Sequence, residues 1–218
     1  KDNKLYNEAF DVLMPLKGIK SIEEDLERTL TLLAADIVNS AIDDNSKGDF
    51  KSSADKLYLA YEVDKEQNLD YLYFAASSAV NASEFQTALE YYTILKEINY
   101  TGVITKYYVT EIDTDKETEV AKSEYDLYKK SKSYKDFREE KTESKFPEII
   151  KNIALIYAQM GDDDKAMSAV QEARISSPND LNLILTEANI YIQLGEKEKF
   201  KELMNQAIDQ DPNNPSLY

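Results

Sequence analysis

Apolar residues recur at helical spacing along most of the chain. Ile150, Ile153, Ala154 and Tyr157 form one stripe, and Ala166, Val170 and Ala173 form a second, with Gly161 between them and Pro178 after them. Apolar positions three and four apart put one face of a helix on a core. Glycine accepts the left-handed backbone that ends a helix, and proline stops the next helix from continuing. The segment therefore predicts two helices joined by a tight turn. Residues 147–180 and 181–214 are both 34 residues long, and aligned without a gap they match at Ala154 and Ala188, Tyr157 and Tyr191, Gly161 and Gly195, Ala173 and Ala207, and Pro178 and Pro212. A fixed period of this length predicts stacked helix pairs, each burying its apolar face on the next.

Two looser units precede these, the first over residues 34–68 and the second over 69–102. Gly48, Ser53, Leu57 and Ala60 are in register in the first; Leu72, Ala75, Ala76, Ala88 and Tyr92 are in register in the second, where Ser83 holds the turn. Residues 1–33 predict two helices broken at Pro15 and Gly18. The second of these begins near Ser21, where Ser21 and Glu24 have the spacing of a capping box. The first needs a surface to receive its stripe of Tyr6, Ala9, Phe10 and Leu13.

Residues 103–146 break the helical period. The β-branched and aromatic run 104–112, an acidic turn at 113–116 and a return at 117–121 predict a small β-hairpin. A short helix is expected around 123–133. The polar stretch 131–144 is expected to be a mobile linker. In sum, the chain divides into N-terminal helices (1–33), two divergent repeats (34–102), an insertion with a β-hairpin (103–146), and two clear repeats with the start of another (147–218).

The pattern of small residues, Tyr, Gly, Ala and Pro at set places in 34 residues resembles the tetratricopeptide repeat family. Phe200 stands where the family has a small residue, and Val170 and Met204 stand where it has an aromatic. The resemblance implies an all-α fold: a right-handed α-solenoid of helix–turn–helix repeats, here with the β-hairpin inserted. It also implies a non-enzymatic scaffold or adaptor that takes a polypeptide partner in a concave groove lined by the first helix of each repeat. The implied groove positions are Tyr73, Ser77, Asn81, Lys151, Leu155, Gln159, Asn182, Leu185, Asn189 and Gln193. Family members that clamp a C-terminal carboxylate use a set of Lys, Asn and Arg residues; Leu155 stands where one Asn is expected, so that clamp is not implied.

Composition narrows the function further. The net charge of −16 opposes binding to nucleic acid, whose affinity comes from Lys and Arg neutralising phosphates. The chain has no cysteine and no histidine, which removes thiolate and imidazole chemistry and the metal sites built on them. No catalytic residue, cofactor site or metal site is assigned. Asp113, Asp115, Glu117, Glu119 and Glu124 have the spacing of a calcium loop, but Thr118 occupies the place where that loop needs glycine, so an acidic hairpin turn is the expectation. Asp162, Asp163 and Asp164 lie where negative charge favours a helix N-terminus.

No apolar run is long enough to span a bilayer, so no direct membrane insertion is expected. The repeat style favours an exported, periplasmic protein over a cytoplasmic one. Residues 215–218 begin a further unit, so the apolar side of Phe200, Leu203, Met204 and Ala207 is expected to be open, and self-association through that end to follow. A different class of function, binding of a small molecule or glycan, would place sugar against Tyr107 and Tyr108 in the insertion.

Overall fold

The computed structural model describes residues 2–217; Lys1 and Tyr218 lie outside them. The described residues form ten α-helices and three β-strands, divided between a helical unit and an inserted unit, Thr101–Lys145.

In the helical unit, α1 (Asp2–Leu13) is followed by four helix pairs: α2 (Glu23–Ser46) with α3 (Phe50–Val63), α4 (Leu69–Asn81) with α5 (Phe85–Glu97), α7 (Phe146–Gln159) with α8 (Asp163–Ser176), and α9 (Leu181–Gln193) with α10 (Lys197–Gln210). Each pair is closed by the same turn. Gly48, Ser83, Gly161 and Gly195 all have positive φ, between 59° and 79°. The amide after each donates back to the carbonyl five residues earlier: Asp49 to Asp44, Glu84 to Ala79, Asp162 to Tyr157 and Glu196 to Tyr191. These bonds satisfy carbonyls that a helix end leaves without partners. The following acidic residue then starts the second helix, with Asp49 accepting from Ser52 N and Asp162 from Lys165 N.

The pairs stack into one core running from Ala54 and Tyr61 through Leu72, Ala76, Ala88, Tyr92, Ile149, Ile153, Ala166 and Val170 to Leu183 and Ile190. Alanines at 76, 88, 154, 166 and 173 are almost fully buried, which lets helix axes approach closely. α5 packs directly on α7, although the insertion separates them in sequence.

Several expectations are corrected. The stripe Leu26, Leu30, Ala34, Ile37 and Ala41 is continuous, so α2 runs unbroken for 24 residues and the division drawn between residues 33 and 34 falls inside a helix. The capping box at Ser21 does not form. Lys20–Ile22 is a turn of 3-10 helix, and α2 starts after Ile22 with no side-chain cap, relying on Glu23, Glu24 and Asp25 against the helix dipole. α1 lies on α2 and α3, where Phe10 and Leu13 meet the Leu26, Leu30 and Val63 cluster. The last repeat is not open along its whole apolar side: Leu203 and Ala207 are buried with Ile184 and Ala188, and Leu217, only 4% exposed, closes over them from the 3-10 turn Pro215–Leu217.

The inserted unit contains the expected hairpin, and a third strand extends it into a three-stranded antiparallel sheet. β1 (Thr105–Glu111) lies between β2 (Glu117–Val120) and β3 (Tyr134–Lys141). α6 (Lys122–Tyr128) follows β2, and its Tyr125, buried, meets Tyr107 at 4.9 Å and Phe137 at 5.6 Å between ring centroids. The third strand arises where a mobile linker was expected. Most of its residues are charged, and it pairs along β1; Arg138 reaches Glu117 of β2, pairs with Glu140 of its own strand and lies 4.1 Å over the ring of Tyr108 in β1. The two ends of the unit meet, with Lys145 N donating to Thr101 O at 2.7 Å.

Candidate interaction grooves

The left-handed turn residue gives each repeat a common origin. Asn81, Gln159 and Gln193 stand two residues before it, Ser77, Leu155 and Asn189 stand six before it, and Tyr73, Lys151 and Leu185 stand ten before it. The structure treats these three levels differently.

The first two levels line open clefts. Leu155, Gln159, Asn189 and Gln193 come together with Thr186 around a cleft of about 270 Å³ between α7 and α9. Ser77 and Asn81 line another, of about 310 Å³, between α2 and α4. Three amide side chains line the first cleft, and an amide offers both donors and acceptors, as an extended peptide backbone does. Thr186 is already committed, its hydroxyl donating to Asn182 O at 2.7 Å.

The third level is packing. Tyr73 is only 9% exposed, edge-on to Tyr92 at 6.4 Å and tilted against Tyr100 at 6.3 Å, so its assignment to the groove is corrected. Burial pushes its phenol well above the usual range, and the hydrogen-bonded Glu148 carboxylate adds to the shift. Lys151 is held by Asp180 at 3.3 Å, and Leu185 is half-buried against the last core cluster. The side chains of this level are engaged within the helical unit. Asn182 is exposed in the first turn of α9, where Asp180 caps its amide at 2.9 Å.

Val38 and Ile42, which line the α2–α4 cleft, were not assigned. The signal was present: the turn residues Gly48 and Ser83 are 35 residues apart, which puts Val38 and Ile42 at the places of Tyr73 and Ser77. Phe74, beside Tyr73, lines the same cleft and is 45% exposed.

In the inserted unit four of the five carboxylates with calcium-loop spacing have protein partners. Asp115 meets Lys135 at 2.6 Å, Glu117 meets Arg138, and Glu119 meets Lys106 at 3.2 Å, while Glu124 accepts from the amide of Ala121. Among the described residues no group of three or more acidic side chains converges on a metal position. The rings proposed for sugar stacking are also engaged, Tyr107 by Tyr125 and Tyr108 by the Arg138 guanidinium.

Residues 157–218 match the tetratricopeptide repeat family. The matched C-terminal segment is tetratricopeptide repeat. The fold of the chain agrees with solved structures of the same kind. A tetratricopeptide repeat protein from Parabacteroides merdae superposes with a TM-score of 0.55 at 16% identity over 84% of this chain, which spans 56% of that protein's length. MamA superposes with a TM-score of 0.55 at 12% identity, covering 95% of this chain and 89% of its own. The pilF protein of Pseudomonas aeruginosa gives 0.52 at 12% identity over the whole of this chain and 82% of its own. At these identities the likeness is one of fold. No curated protein matches the repeat protein by sequence. A tetratricopeptide fold is, in general terms, a scaffold for protein interaction, and among the described residues no helix of the repeat protein is long and apolar enough to cross a membrane.

Proposed function

We propose that the protein holds an extended segment of a partner polypeptide in the clefts lined by the first helices of its repeats. The observation that carries this reading is the α7–α9 cleft, where Gln159, Asn189 and Gln193 from two successive repeats line one space with Leu155. Amides supply paired donors and acceptors for a peptide main chain, and Leu155 supplies an apolar contact between them. The family's general role agrees with it.

The test is selection of peptides from a random displayed library, followed by direct titration of the purified winners. Gln159→Arg and Asn189→Arg, both at exposed positions, are expected to leave the melting temperature unchanged and to weaken binding at least tenfold. Peptides that bind the double variant as tightly as the wild type would rule this cleft out as the working surface.

A further inference from the structure

One face of α2 borders two clefts in succession. Glu23 and Glu27, together with Asp64, border a space of about 690 Å³, while Val38, Ile42 and Asn45 border the α2–α4 cleft. With Thr31 and Ala34, which also border the first space, these α2 positions recur every three or four residues, which is one stripe of a helix. Tyr71 of α4 borders both spaces, so they adjoin. Their chemistries differ. At the mouth, Glu23 and Glu27 are exposed, and the nearby cation, Lys17, gives its ammonium to the Val63 carbonyl at 2.7 Å. Further along, Ile42 is 60% exposed, with Phe74 on the opposite wall.

We propose that this face of α2 binds a peptide that carries an apolar anchor and, about six or seven extended residues away, a lysine or arginine. The spacing follows from the helix: Glu27 and Ile42 are fifteen residues apart on α2, about 22 Å at 1.5 Å per residue, and an extended chain covers that in about six or seven residues. Charge complementarity selects the occupant, because a carboxylate-edged mouth attracts a cationic side chain and repels an acidic one. The inference rests on the proposed function and assigns a ligand class to its N-terminal cleft.

The experiment uses the full chain and fluorescein-labelled host peptides with leucine at one end and arginine seven residues on, and matched peptides in which arginine is glutamate or leucine is serine. At low salt the leucine–arginine probe is expected to bind about tenfold more tightly than its glutamate counterpart, with the gap narrowing as salt rises. Glu23→Gln with Glu27→Gln is expected to abolish that preference while keeping the requirement for leucine. Ile42→Arg, at an exposed position, is expected to remove binding without changing the melting temperature.

A probe that binds no better than its glutamate counterpart, or keeps its preference in the Glu23→Gln, Glu27→Gln variant, overturns the proposal. So does a dimer of the free protein that Ile42→Arg dissolves, since the occupant is then a second copy. If library peptides sensitive to Gln159→Arg bind while this probe does not, the α2 assignment alone fails; if no peptide binds either cleft, the proposed function fails with it.

Discussion

Asn152 donates from its side-chain amide to the hydroxyl of Tyr92 at 3.0 Å, joining α7 to α5 across 60 residues of sequence. Lys96 and Glu172, at 2.6 Å, make a second tie between the same two repeats. The helical stack is thus continuous where the chain leaves to form the inserted sheet. The insert also closes its own ends, at Thr101 and Lys145.

Replacing residues 102–144 by a short glycine–serine linker is therefore expected to leave the helical unit folded. Its helical circular dichroism per remaining residue should rise, and its melting temperature should move by less than about 4 °C, roughly 1 kcal/mol at this size. Loss of cooperative melting would show that the sheet is needed for stacking.

Tyr92 is 1% exposed, and burial pushes its phenol up to about 12, partly offset by the hydrogen bond from Asn152. Tyr91 is pushed up to about 12 as well, again by burial. A raised folded pKa means stability that is complete below the unfolded value of 10 and lost as pH rises through 12. For Tyr92 the loss amounts to about 2 to 3 kcal/mol by pH 12. Tyrosinate absorbance near 295 nm and loss of helical signal should rise together above pH 10; tyrosines that ionise at pH 10 with the helices intact would contradict the burial.

Ser83 holds the left-handed turn position that Gly48, Gly161 and Gly195 hold in the other repeats, at φ 59°. An L-residue there carries strain of about 1 kcal/mol or more, less the entropy that glycine loses on folding. Ser83→Gly should raise stability by about 0.5 to 1 kcal/mol in urea denaturation. Gly161→Ala should lower it by about 1 kcal/mol although the new methyl meets nothing within 4 Å, because the cost lies in the backbone.

Lys56 is buried between α2 and α3, with its ammonium 2.6 Å from Asp44 and 2.7 Å from the Ser40 hydroxyl. Lys56→Met leaves Asp44 without its buried cationic partner and should cost about 3 kcal/mol, most of which Asp44→Leu in the same chain should recover. Burial alone raises the Asp44 pKa, but hydrogen bonds from Lys56 and Ser52 and the charges of Lys56 and Lys47 outweigh it and hold the carboxyl below 3.8. The pair therefore stabilises above pH 3.8 and loses its effect as pH falls through the lower folded value. Acid titration of wild type and Lys56→Met should show the variant unfolding at higher pH.

The acidic turn of the insertion should not respond to calcium. Asp115, Glu117 and Glu119 are engaged by Lys135, Arg138 and Lys106, so millimolar calcium should leave the melting curve unchanged, and a saturable rise in melting temperature would refute this account.

The repeats were legible because a 34-residue period places Gly161 and Gly195 where only a left-handed backbone fits and Ala154 and Ala188 where only a small residue fits. Those are local steric demands, and they show in one chain. Cleft-lining positions were legible in part for the same reason: register places Ser77, Asn81, Leu155, Gln159, Asn189 and Gln193 on first helices, and they line clefts. Register could not tell which level of each helix meets the next repeat, and Tyr73 was misplaced because its burial depends on α5 and α7 closing around it. Val38 and Ile42 were missed although the same register reaches them.

The sequence alone thus determined the helix pairs, their turns and the faces they bury, since spacing and backbone sterics act within a few residues. Tertiary structure decided the rest. The third strand of the insertion forms by pairing with β1, which brings Arg138 to Glu117 and Tyr108, and the continuity of the stack comes through Tyr92 meeting Asn152. The two chemistries along α2 share one helix face by spacing alone, but they border clefts only once α3 and α4 have folded against it.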